Sequence, residues 1–250
     1  MRARWLVVVA MLSMVPSVAA AVEIVVFVPG AVQAIVREVG KDYEAETGNT
    51  IRFVGDTAGG VVKRIAAGEG ADVVIATAAG LAGLAKSGHV SDPGRRDLGA
   101  MGVGVAVRKG APKPDIGSVA AFKNAMLSTK SIMYADPAKG GQSGIHIVKV
   151  MAELGIDKDI QPKLALRDRG PDGLKEVAAG TIDIGLGQIS EILAEPGVDL
   201  VGPFPQPIQN LVTFSAAPHA KTSHGPAAAA LIEMLIGPRA KALFNAAGFV

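Results

Sequence analysis

The sequence predicts an α/β protein of two lobes, each a mostly parallel sheet flanked by helices, joined by two crossing segments. Three observations carry that prediction. Short β-branched runs alternate with stretches whose apolar residues recur at helical spacing. The strands follow one another through helices, as crossovers in a parallel sheet require. Two Pro-rich breaks, at 109–114 and 203–207, bracket a middle α/β block, so the C-terminus returns to the first lobe. The expected division is 1–21 as a leader, 22–107 with 206–250 as lobe 1, and 108–205 as lobe 2.

The elements follow in order. Residues 24–28 (Ile-Val-Val-Phe-Val) form an unbroken apolar run, the pattern of a strand buried on both faces. Val32, Ile35, Val39 and Tyr43 then recur at helical spacing, and Gly48 ends that helix. Residues 51–54 read as a second strand, 60–67 as a short helix and 73–75 as a third strand; Leu81 and Leu84 mark another helix. A strand at 103–107 precedes the first break. Helices at 119–127, 145–154 and 174–178 then alternate with strands at 132–134, 164–166 and 182–186. A strand at 211–214 and helices at 227–236 and 239–247 close the chain.

Composition removes several function classes. Hydrophobic residues at 49% against 19% charged exclude disorder. Cys is absent, which excludes disulfides, thiolate metal sites and Cys nucleophiles. Arg2 and Arg4 precede an apolar run at 5–15, followed by Pro16, Ser17 and the small residues at 18–21, the order of a secretory signal peptide. That run is too short for a membrane span, which takes about 20 apolar residues. Cleavage is expected after Ala20 or Ala21, giving a soluble periplasmic protein. Taking Arg2 and Arg4 from the 25 basic residues leaves 23 against 23 acidic ones. With aromatics at only 4%, no basic stripe or stacking platform remains for nucleic acid.

Ligands of open parallel sheets bind beyond the carboxyl ends of strands, where helices begin. Four such junctions are small and polar: 28–31, 55–60, 136–144 and 167–173. Gly and Ala allow close backbone approach, and the first N–H groups of a helix lack internal partners. With the positive end of the helix dipole they make an anion site that needs no formal cation. Each junction alone reads as an ordinary βα turn. Two from each lobe point to a shared cleft.

Other constellations are weaker. Residues 141–145 fall short of a nucleophile elbow, because Ile145 stands where the last Gly is required. His146 reads as a packing or surface residue, and His219 and His224 as solvated. No histidine has a partner at metal spacing, and no phosphate-loop or dinucleotide motif occurs, so neither metal nor cofactor is expected.

The segments at 59–68 and 71–75, the Asp136-Pro137 loop, and 180–185 running on to 188–192 carry a family resemblance. In their order and spacing the chain resembles periplasmic substrate-binding proteins of the molybdate-binding type, two-lobed receptors for ABC importers. The resemblance implies the type II periplasmic-binding-protein architecture and an oxyanion held by hydroxyls and backbone amides. Its ligand positions correspond to Pro29, Gly30 and Ala31, then Thr57, Ala58 and Gly59, then Ser143 and Gly144, then Gly170 and Asp172. Gln188 falls where that family has a Tyr. Pro29 lacks an N–H, the first loop has no hydroxyl, and Gln188 brings an acceptor as well as a donor. Asp56 either caps the following helix or accepts a proton carried by the ligand.

Lys139, Arg167 and Arg169 are read as surface charges or as a clamp for carboxylates on an organic acid. The clamp opens a second possibility, since aconitate isomerase, a periplasmic enzyme, resembles members of the same receptor family. Such a reaction needs cations for several carboxylates and a base, for which Asp136, Asp56 and Lys139 are candidates. The expected partners are a small anionic ligand and an ABC transporter membrane component, with the protein itself a monomer.

Overall fold

The computed structural model describes residues 21–250; the leader expected at the N-terminus falls almost wholly outside the described residues. The first half runs β1 (Glu23–Pro29), α1 (Gly30–Thr47), β2 (Thr50–Asp56), α2 (Ala58–Ala66), β3 (Val73–Thr77), α3 (Ala78–Lys86) and β4 (Arg96–Met101). A second series follows: β5 (Val103–Arg108), α4 (Val119–Ser128), β6 (Ile132–Ala135), α5 (Gln142–Glu153), α6 (Asp157–Ile160), β7 (Leu164–Arg167), α7 (Gly170–Ala179), β8 (Ile184–Gln188), α8 (Ile189–Ala194) and β9 (Val198–Pro203). β10 (Val212–Pro218), α9 (Gly225–Leu235) and α10 (Pro238–Ala246) complete the chain.

Two five-stranded sheets result, ordered β2, β1, β3, β10, β4 and β7, β6, β8, β5, β9. In each, the fourth strand runs antiparallel to its neighbours and the others are parallel. Side-chain alternation along β1 sends Ile24, Val26 and Val28 to one face, where α1, α9 and α10 cover them. Phe27 goes to the other face, under α2 and α3. The second sheet is covered in the same way, with Phe122 and Ile147 of α4 and α5 on one side and Leu174 and Val177 of α7 on the other. Gly48 ends α1 at φ 73°, its N–H on the Glu44 carbonyl, as the sequence predicts.

The chain crosses earlier than the Pro-rich break suggests. β5 pairs with β8 and β9, so residues 103–107 belong to the second sheet and the first crossing is at Gly102. Residues 109–113 are instead tied to the β9 side: the Lys109 N–H donates to Gly197 O and Lys113 Nζ to Leu200 O. The return crossing comes late, because Phe204 packs its ring at a tilt against Phe122, centroids 4.6 Å apart, and Ile208 packs in the second core. Between the crossings, the Gln209 side chain accepts from the Val103 N–H at 2.9 Å and donates to its carbonyl at 2.8 Å.

Candidate functional site

The carboxyl ends of strands from both lobes meet around a cavity of about 30 Å³, room for about two water molecules. Lobe 1 lines it with Pro29, Gly30, Ala31, Asp56, Thr57 and Ala58; lobe 2 lines it with Ser143, Arg169, Gly170, Gln188 and Glu191. Capped and uncapped helix starts both occur around it, and α9 and α10, away from it, are uncapped as well. α2, α3 and α4 are capped by the hydroxyls of Thr57, Thr77 and Ser118. α1, α5 and α7 begin after Pro29, Gly141 and Arg169 with no side-chain cap, and all three open on the cavity. Their first N–H groups are therefore left for a guest. Ser143, the second residue of α5, is buried and lines the cavity beside them.

Several expected ligand residues have other work here. Thr57 Oγ1 accepts from the Gly60 N–H and donates to Lys139 O at 2.6 Å, so it caps α2 and ties the lobes together. The Gly59 N–H donates to Gly140 O at 3.1 Å, and a Cβ on Gly59 would lie 2.8 Å from the Gly140 Cα. Two residues without side chains thus let the lobe backbones touch. Gly144 packs α5 on β6, since a Cβ there would overlap the Ala135 carbonyl oxygen. Asp172 is exposed in an outer groove.

The three cations separate. Arg167 forms a two-pronged ion pair with Glu176 on its own lobe, which keeps it out of the cavity. The Lys139 side chain is exposed, and only its carbonyl takes part in the lobe contact. Arg169 does line the cavity, and its Nη2 donates across the lobes to Gln33 Oε1 at 2.8 Å. Asp56 does not cap α2. Its Oδ1 accepts from the Thr57 N–H at 2.7 Å, and Oδ2 lies 3.6 Å from Arg64. His219 is buried rather than solvated, and its pKa is lowered by that burial; His224 sits 3.2 Å from Asp72.

The cavity wall holds unmet hydrogen-bonding capacity. Among the described residues, Arg169 Nε and Gln188 Oε1 are the buried side-chain atoms with no hydrogen-bond partner. Leaving such a group unpaired costs about 1–3 kcal/mol. Both residues line the cavity, which therefore carries one unpaired donor and one unpaired acceptor.

Glu191 escaped the sequence reading. Its carboxyl oxygens lie where side chains on Gly30 and Gly170 would go, at the starts of α1 and α7 from opposite lobes. Burial pushes its pKa up to about 7, against the opposing pull of Arg169 and the Gln188 N–H; Asp172 adds to the rise. An acid three residues after Gln188, at the third position of α8, was the available signal, but it reads as a capping box rather than as a cavity group.

Two α/β lobes closing on a cavity lined with uncapped helix starts define a two-lobed solute-binding protein. The chain belongs to the bacterial extracellular solute-binding protein family, whose model matches residues 24–250. An aconitate isomerase from a Pseudomonas species is 35% identical over 212 residues, covering 82% of this chain and 79% of that protein. The Azotobacter vinelandii periplasmic molybdate-binding protein superposes with a TM-score of 0.75 at 17% identity, covering 91% of this chain and 98% of its own. The sulfate-binding protein SubI from Mycobacterium tuberculosis gives 0.67 at 19%, covering 91% and 86%. At these identities the two structures share the fold, and the type II architecture expected from the sequence stands.

Proposed function

We propose that this chain is a periplasmic protein that binds a small polycarboxylate between its lobes and isomerises aconitate. The observation that carries the reading is the polar set inside the cavity. Arg169 Nε is a buried, unpaired charged donor suited to a carboxylate, while Gln188 Oε1 and Glu191 are acceptor groups. The 35% identical aconitate isomerase supports the same substrate class. In this reading Arg169 holds one carboxylate, and Ser143 with the amides opening α1, α5 and α7 holds the others. The lobes part at the Gly59–Gly140 contact to admit the substrate, and its bridging contacts favour reclosure.

The test is direct. Purified protein incubated with cis-aconitate is expected to yield the trans isomer by NMR; absence of product at high protein concentration would remove the enzymatic half of the reading. A second reading, an oxyanion receptor for an ABC importer, is favoured by the small volume of the closed cavity. Thermal shift with molybdate, tungstate, sulfate, citrate and trans-aconitate separates the two. Stabilisation by the polycarboxylates alone is the expected result.

A further inference from the structure

We propose that Glu191 is the group that moves the proton in aconitate isomerisation, taking it from the methylene carbon and returning it to the former vinylic carbon. This rests on the isomerase reading above. The position of the carboxyl is the first argument. Gly30 and Gly170 leave open the space its oxygens occupy, and the group lines the cavity next to Arg169 and Gln188. Elimination supplies the second. Asp136 and Lys139 do not line the cavity, and Asp56, which does, is paired with Arg64 at 3.6 Å, a residue outside the lining. The carboxyl's chemistry supplies the third: with its pKa brought up to about 7, it both accepts and gives back a proton near neutrality.

The step balances. The Glu191 carboxylate removes a proton from the methylene carbon, and the electron pair of that C–H bond becomes the new double bond to the central carbon. The pair of the old double bond moves onto the former vinylic carbon and its carboxylate, where the Arg169 guanidinium stabilises the developing charge. The protonated Glu191 then delivers its proton to that carbon. One C–H bond breaks and another forms, no oxidant or reductant is needed, and the new double bond sets its geometry afresh. Charged groups near Glu191 are Arg169 before α7, Asp172 and Lys175 on α7, Arg37 on α1, Glu195 after α8, and Asp56 across the cavity.

The experiment follows cis-aconitate by NMR with wild-type protein, Glu191→Gln and Glu191→Asp, and measures trans-aconitate binding by thermal shift. Glu191→Gln is expected to bind ligand yet lose at least about 100-fold in rate. The wild-type rate should rise with pH through about 7, as the carboxylate form becomes available. A Glu191→Gln rate within threefold of wild type would overturn the proposal and leave the isomerase reading standing. A wild-type protein that binds aconitate but does not isomerise it would overturn both. Should Glu191→Gln fail to fold, Glu191→Asp decides. A rate about tenfold lower that still climbs with pH supports the role, and an unchanged rate refutes it.

Discussion

Two of the contacts between the lobes are built on opposite principles. At Gly59 and Gly140 the lobes meet through backbone, and every group named there is satisfied: the Gly59 N–H by Gly140 O, and the Thr57 hydroxyl by Gly60 and Lys139. At the cavity wall, side chains meet, and Arg169 Nε and Gln188 Oε1 lack partners. The first region can close without a guest. The second keeps an unpaired donor and acceptor in the closed form, and under the function proposed above selectivity lies there.

Arg169→Ala gives the strongest way to break that contrast. It removes the unpaired charged donor and the bond to Gln33, and polycarboxylate affinity should fall about 100-fold by calorimetry. A loss below threefold would move selectivity away from this wall.

The pH dependence of stability ranks next. Glu191 titrates at about 7 in the folded chain against 4.5 as its ordinary value, so the folded form holds an extra proton between those limits. Its stabilisation is complete below about pH 4.5 and is lost as pH rises through about 7. The loss is on the order of 3 kcal/mol. Thermal melts of wild type should fall over that interval, while Glu191→Gln, which stays neutral, should fall less.

Gly59→Ala probes the other contact. Alanine strengthens α2 as a helix, so an effect on binding isolates the obstructed approach to Gly140. Affinity is expected to drop about tenfold, with scattering showing a more open molecule in the presence of ligand. Arg167→Ala is the smallest change. It breaks a half-exposed ion pair with Glu176, should leave ligand affinity unchanged, and should cost no more than about 1 kcal/mol of stability.

Much of this architecture is legible in the sequence because strands buried on both faces cannot disguise their apolar runs. The strands that escape are β4 and β9, both at sheet edges, where residues such as Arg96, Asp97 and Asp199 interrupt the pattern. The crossing at Gly102 escapes for another reason: Val103 to Val107 suit the core of either sheet, and nothing local states which one they join. Within the site, helix starts and small loops mark Gly30, Ala31, Thr57, Ser143 and Gly170, and the family resemblance adds Gln188; all six line the cavity. Arg167 and Arg169 could have been told apart, because residues two apart share a face only while the strand lasts, and β7 ends at Arg167. Glu191 could not: its role depends on two glycines 161 and 21 residues away, brought together only by closure of the lobes.

The Gln209 amide, bonded to both the N–H and the carbonyl of Val103, has a mechanical meaning. It rivets the outgoing and returning strips of chain side by side at the passage between the halves.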